Sequence, residues 1–171
     1  DVNSTNESLD TALSLAATNN PKDVAELLIQ HGAEIDARDE LMRTPLHHAA
    51  QSASPGTTEL VELLINHGAD ISARDQSEQT PLHLAVVDGC RDVVALLIRH
   101  GAAVDAEDDD LRTPLHEAAS AGDMAIVELL IKHGAEVNST DCDQITPMYL
   151  ANDGDFPDVV ELLVMHGAVA N

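Results

Sequence analysis

The chain has 171 residues, with 8 Lys plus Arg against 31 Asp plus Glu, and a formal net charge of −23. A field of that sign repels nucleic-acid phosphate and anionic lipid, so neither nucleic acid nor membrane is expected as a partner. Hydrophobic residues make up 44% and fall in regular blocks, which argues against a disordered acidic tail. No run approaches the ~18 apolar residues of a membrane span, and no signal peptide is visible.

The blocks are periodic. Thr44-Pro45-Leu46-His47, Thr80-Pro81-Leu82-His83 and Thr113-Pro114-Leu115-His116 are full copies of one tetrapeptide. Thr146-Pro147-Met148-Tyr149 is a worn copy and Thr11-Ala12-Leu13-Ser14 a fainter one. The five Thr are 33, 36, 33 and 33 residues apart. A second marker keeps step: His31-Gly32, His67-Gly68, His100-Gly101, His133-Gly134 and His166-Gly167. Thr leads its His-Gly by 20 residues in four units and by 23 in the second, so three extra residues lie within 52–58. Fixed self-similarity at this period marks a repeat solenoid. The expected units are approximately 4–38, 39–74, 75–107, 108–140 and 141–171, in a single domain spanning 1–171. Asp1-Val2-Asn3 matches Glu136-Val137-Asn138 in phase, and Asn171 ends at the same phase, as expected of a segment of a longer array.

Each unit is expected to form two helices. Thr supplies an N-cap oxygen, and Pro at the first helical position loses no needed hydrogen bond. In the third unit Leu82, Leu84, Ala85 and Val86 are apolar, and Asp88-Gly89 ends the helix. A second helix follows from Val93 to His100, with Asp92 at its positive end and Gly101 as a left-handed cap. The other second helices are expected to start at Asn20-Pro21, at Thr57 or Thr58, at Asp123 and at Phe156-Pro157. Their apolar stripes repeat as Val24, Leu27, Leu28, Ile29; Leu60, Leu63, Leu64, Ile65; Val127, Leu129, Leu130, Ile131; and Val159, Leu162, Leu163, Val164. Such stripes are too apolar for one helix pair, so stacking of neighbours has to bury them.

Little of the sequence points to catalysis or cofactors. Residues in one phase of stacked helices lie about 8–10 Å apart, whereas zinc needs ligands within about 2.3 Å. The His-Gly histidines are therefore read as helix C-termini, and His47, His83 and His116 as a ladder joining repeats; only His48 is left over. Glu107-Asp108-Asp109-Asp110 lacks the alternation, central Gly and final Glu of a calcium loop and reads as a solvated acidic stretch. No Ser-His-Asp, Cys-His or phosphate-binding Gly loop appears in workable context, so no enzyme, cofactor or metal site is expected. Cys90 and Cys142 stand in different phases, which fits two free thiols and an intracellular, cytoplasmic setting.

On these motifs the chain resembles the ankyrin-repeat family, whose signature is a 33-residue period with Thr-Pro-Leu-His-x-Ala. The resemblance covers essentially all residues. It implies an all-α solenoid of helix–turn–helix units, each with a β-hairpin-like finger at its base. The family's usual Gly two residues before Thr is replaced by Leu9, Met42, Glu78, Leu111 and Gln144, so these fingers either turn differently or carry strain. Leu130, Glu136, Val137 and Asn138 also resemble the pattern used by an asparagine hydroxylase of ankyrin fingers, which makes Asn138 a candidate modification site.

The resemblance further implies a concave groove, built from finger tips and first-helix faces, that binds a protein or peptide. By phase it takes Arg38, Glu40, Leu41, Arg43, Gln51 and Ser52 from the second unit. The third supplies Arg74, Gln76, Ser77, Gln79, Val87 and Asp88, and the fourth Glu107, Asp109, Asp110, Arg112, Ser120 and Ala121. The fifth supplies Cys142, Asp143, Ile145 and Asp153. Four of the six Arg fall on fingers, where they either fork onto partner carboxylates or offset neighbouring acids. The expected function is protein binding by a monomer. Also open are a structural spacer in a longer array, a non-catalytic targeting arm of a larger enzyme or effector, and a built binder scaffold.

Overall fold

The computed structural model describes residues 1–19, 21–52 and 54–169. Asn20, Ala53 and Asn171, which enter the sequence reading as a helix cap, part of the insertion and the phase of the last unit, lie outside them. The chain divides into two compact units, Asp1–Ala102 and Ala103–Asn171. In the first, α1 (Ala12–Asn19), α2 (Lys22–Gln30), α3 (Pro45–Ala50), α4 (Thr57–Asn66), α5 (Pro81–Val87) and α6 (Arg91–Arg99) follow in order. The second holds α7 (Pro114–Ser120), α8 (Met124–Lys132), α9 (Pro147–Asp153) and α10 (Pro157–Met165). No strand forms among the described residues; Thr5 and Thr11 make one isolated antiparallel bridge. None of the described helices is long and apolar enough to cross a membrane.

Within the first unit α1, α3 and α5 stack in one row and α2, α4 and α6 in another; in the second unit α7 stacks on α9 and α8 on α10. The motif Leu is fully buried at Leu13, Leu46 and Leu115 and nearly so at Leu82. Three residues further on come Ala16-type positions: Ala49, Ala85, Ala118 and Ala151 are wholly buried, and their small side chains let first helices approach closely. On the second helices Leu60, Leu64, Leu97, Leu130 and Leu163 have no exposed surface.

Thr44, Thr80, Thr113 and Thr146 are extended N-cap residues followed by Pro at the helix start, as expected. The motif His closes a reciprocal cap. In the second repeat the Thr44 N–H donates to His47 Nδ1 at 3.1 Å, and the Thr44 hydroxyl lies 2.9 Å from the same nitrogen. The opposite edge, Nε2–H, donates to the Gln79 carbonyl of the next repeat at 3.1 Å. His116 does the same with Thr113 and the Ile145 carbonyl. Both contacts require the neutral imidazole with its proton on Nε2, and burial lowers the His47 pKa from 6.5 to about 4 and moves His116 the same way. In the first repeat Ser14 satisfies only Thr11, through the Thr11 N–H at 2.8 Å and the Thr11 carbonyl at 3.0 Å, so its side chain ties nothing to the second repeat.

The His-Gly pairs end the second helices. Each His is the C-cap, and at positions 31, 67, 133 and 166 Nδ1–H donates to the carbonyl four residues earlier at 2.8–2.9 Å. Gly32 adopts φ +83°, and the Gly32 and Ala33 N–H groups close onto the Ile29 and Leu28 carbonyls, a Schellman motif.

Three details differ from expectation. Thr57 and Thr58 do not cap α4: Gly56 stands at the N-cap with φ +90°, and the Thr57 hydroxyl donates to the Ser54 carbonyl instead. The three added residues let the chain turn through Gly56 and draw both Thr into the helix. Pro21 occupies the N-cap of α2, one place earlier than expected of a first-turn Pro. The α2 stripe is not a buried core, since Val24 and Leu27 are 47% and 55% exposed. Among the described helices α2 packs mainly against α1 and α4, and Val24 and Leu27 meet solvent. The displaced Gly of the last repeat has a physical reason as well. Asp155 takes the left-handed conformation (φ +59°), where Gly89 and Gly122 stand in the preceding repeats. Gly154 has an ordinary φ but leaves room for the Phe156 ring, which also fills the space a side chain on Gly122 would need.

Two outcomes follow for the scaffold. Below pH 6.5 the unfolded imidazole of His47 takes a proton that the folded one refuses until about pH 4. Its stabilisation is full above pH 6.5 and lost as pH falls through that window. Relative to His47→Gln, the wild type should lose about 3 kcal/mol between pH 6.5 and 4, read from urea melts. Five non-Gly finger residues hold positive φ, so Met42→Gly and Leu111→Gly should each raise stability by up to about 1 kcal/mol in the same measurement.

Candidate protein-binding surface

Each finger is a five-residue loop closed by its first residue. Asp39 N–H donates to the Arg43 carbonyl, and Asp39 Oδ1 accepts the Leu41 and Arg43 N–H groups at 2.8 and 2.9 Å. Asp75 accepts from Ser77 and Gln79, Asp108 from Asp110 and Arg112, and Asp141 from Asp143 and Ile145. Asn6 performs this role in the first repeat with Ser8 and Asp10. All four Asp are buried. The turn so made puts Leu9, Met42, Glu78, Leu111 and Gln144 at φ between 58° and 63°. Of the two options for these Gly-less fingers, the strained left-handed turn is the one adopted.

Neighbouring fingers are tied by main-chain bonds within each unit. In the first, Glu40 N–H donates to Ser8 O at 3.1 Å and Gln76 N–H to Leu41 O at 2.8 Å. In the second, Cys142 N–H donates to Asp110 O at 2.9 Å. A second tie runs behind them. Asn3, Asp36, Asp105 and Asn138 each accept a backbone N–H from the following repeat, and Asn3 and Asn138 also donate to a Gly carbonyl there. The Asn138 amide, half-buried, thus holds Gly167 and Val169.

The finger Arg residues are all engaged within the chain. Arg38 donates to the Arg74 carbonyl at 3.0 Å, and Arg74 to the Glu78 carbonyl at 2.8 Å with the Glu78 carboxylate at 3.6 Å. Arg43 brings predicted residues together: it pairs with Asp75 at 3.3 Å and donates to Gln51 Oε1 at 3.1 Å. Arg112 pairs with Glu117 at 3.3 Å, a carboxyl that burial pushes above the usual range while Arg112 draws it back. Arg38 is exposed, Arg74 partly so, and Arg43 and Arg112 are recessed.

In the first unit the exposed tips are Glu40, Leu41, Gln76 and Ser77, with Val87 and Asp88 at the end of α5. Gln79 is half-buried and its carbonyl is taken by His47. Ser52 turns elsewhere: with Ser54, Thr57, Thr58 and the start of α6 it lines a cavity of about 360 Å³. Burial raises the pKa of the Cys90 thiol on that cavity wall. In the second unit Glu107, Asp109, Asp110, Cys142 and Asp143 are exposed, so its tips are acidic. Ile145 is half-buried; Ser120, Ala121 and Asp153 lie exposed at the far ends of α7 and α9. Both thiols are free.

Sequence reasoning missed two groups. The anchoring acids were visible as an Asp or Asn five residues before every motif Thr, a spacing as regular as the motif itself. The left-handed residues were noticed as a backbone problem only, yet Leu9, Met42 and Leu111 are each nearly half exposed and add apolar surface to the tips. Asp108→Ala should cost about 1–3 kcal/mol by freeing two backbone N–H groups, whereas Asp109→Ala beside it should cost almost nothing, read from paired thermal melts.

A comparison with the curated proteins finds no match. A family model described as "Ankyrin repeats (3 copies)" matches residues 1–75, 38–108, 53–141 and 100–171, so its overlapping matches run the length of the chain. With stacked helix pairs, Thr-Pro caps and hairpin-like fingers in register with those matches, the chain belongs to the ankyrin-repeat family.

Proposed function

We propose that the chain is a non-catalytic, monomeric protein-binding module that meets its partner with the finger tips and the adjoining ends of the first helices. Ankyrin repeats are in general protein–protein interaction modules. The observation that carries the finer reading is the preorganised fingers. A buried Asp locks each of the later four, main-chain bonds tie neighbours, and the turn leaves Leu41 and, on a strained backbone, Met42 exposed. A surface already ordered before contact loses little conformational entropy on binding.

The chemistry favours a partner that is basic overall, drawn by the −23 charge, with apolar side chains for Leu41, Met42 and Val87. Arg43 and Arg112 serve the scaffold through Asp75 and Glu117, so the Arg contribution to a partner rests on Arg38 and Arg74. Two free thiols fit an intracellular, cytoplasmic location.

A variant carrying Arg38→Ala, Leu41→Ser and Gln76→Ala tests the reading, because all three side chains are exposed. Partners recovered by crosslinking to the wild type should lose at least about tenfold in affinity for this variant, with an unchanged melt. Full retention of every partner by the folded variant overturns the fingertip surface.

A further inference from the structure

In the first two repeats the residue before the motif Thr lies beside the anchoring acid of the next finger. In the second repeat that residue is Arg43, and it pairs with Asp75. In the first repeat the same position is Asp10, and the acid it meets is Asp39. A cation–anion pair is thus replaced by two carboxylates. Beside them stands His48, the one histidine outside both repeating series, at the position where the third and fifth repeats have Leu84 and Leu150. His48 Nε2 lies 2.9 Å from Asp39 Oδ2. Ligand atoms from Asp10, Asp39 and His48 all lie within 4.8 Å of one another, with Asp39 buried and the other two half-buried.

We propose that Asp10, Asp39 and His48 form a binding site for a divalent zinc-like metal ion that links the first repeat to the second. The donor set decides the class of ion. One imidazole nitrogen and two carboxylate oxygens suit zinc and its neighbours, whereas magnesium and calcium take oxygen shells. Two carboxylates and a neutral imidazole also match the charge of a dication. In a tetrahedral zinc site with bonds near 2.1 Å, ligand atoms stand about 3.4 Å apart. The Asp39–His48 edge is already close to that length, and a small movement of Asp10 closes the rest.

The surrounding bonds orient the ligands as a metal site requires. Asp39 Oδ1 is occupied by the Leu41 and Arg43 N–H groups, which turns Oδ2 toward His48. The Asp10 carboxylate is held by Asn6 Nδ2 at 3.0 Å, and Asn6 is itself fixed by the Ser8 and Asp10 N–H groups. The location has a structural logic. At this junction Ser14 stands in place of the histidine that ties one repeat to the next. A metal held by Asp10 from one side and by Asp39 and His48 from the other supplies that tie.

The test is a titration of the full chain with ZnCl2, followed by calorimetry and thermal melting, against His48→Leu and Asp10→Arg. Both variants use residues that the equivalent positions already accommodate, Leu84 and Arg43. The wild type should bind one zinc ion in a class at least about tenfold tighter than any site left in the variants, and its melting temperature should rise by a few degrees with zinc. Both effects should vanish in both variants, while Asp10→Arg without metal should melt no lower than the wild type. Zinc binding and melting shifts that persist unchanged in the variants would assign the metal to the exposed His-Gly histidines and overturn the site. An equal shift with MgCl2 or CaCl2 would overturn it too, as general screening of acidic charge.

Discussion

A buried carboxylate that accepts two backbone N–H groups is the interaction on which each of the last four fingers depends. Its Oδ1 holds the turn, and the turn forces the next-but-two residue into a left-handed conformation that points its side chain outward. In two fingers its second oxygen takes a further side-chain partner, across the repeat boundary for Asp75 and within the repeat for Asp39. Asp75 gives that oxygen to Arg43, and Asp39 gives it to His48. One side chain therefore sets finger shape and tip presentation, and at Asp75 also the bond between neighbours. The cost of burying it is met locally, by backbone donors that would otherwise face the same burial.

The neutral imidazole ladder is the complementary constraint at the helix starts. Thr donates to one edge of His47 while the other edge donates to the next repeat, so the ring must carry its proton on Nε2 and stay uncharged. A chain of this net charge would gain from extra protons, but these rings cannot supply them without breaking the ladder. His48 apart, the scaffold thus separates two kinds of histidine: buried ones such as His47 and His116 that bridge repeats and exposed ones that end helices.

The helix starts and stops were legible because their chemistry is local: Thr-Pro and His-Gly act on their own turns of backbone. The first-unit exposure of Val24 and Leu27 was not legible, because a stripe shows what can be buried and not which neighbours are there to bury it. The groove Arg residues were readable only as two options, since Arg43 and Asp75 are 32 residues apart in sequence and meet only once the repeats stack. The Asp39 series was in plain view at constant spacing, yet acids on a polar loop look like solvated charge until the loop's donors are known. Leu9, Met42 and Leu111 were flagged by a missing Gly, and the structure adds that the replaced hydrogen became an exposed side chain.

The seat of Phe156 bears on how this repeat can change over generations. In most repeats one glycine has one duty, to turn the chain. In the last, that duty has passed to Asp155, while Gly154 is kept for the space its missing side chain leaves to the ring. A change at Gly154 to any larger residue collides with Phe156, and a change at Phe156 removes the reason for Gly154. The ring and the two glycines beneath it, Gly122 and Gly154, are therefore bound to drift together or not at all. The conspicuous glycine of this repeat marks a packing partnership across two repeats rather than a turn.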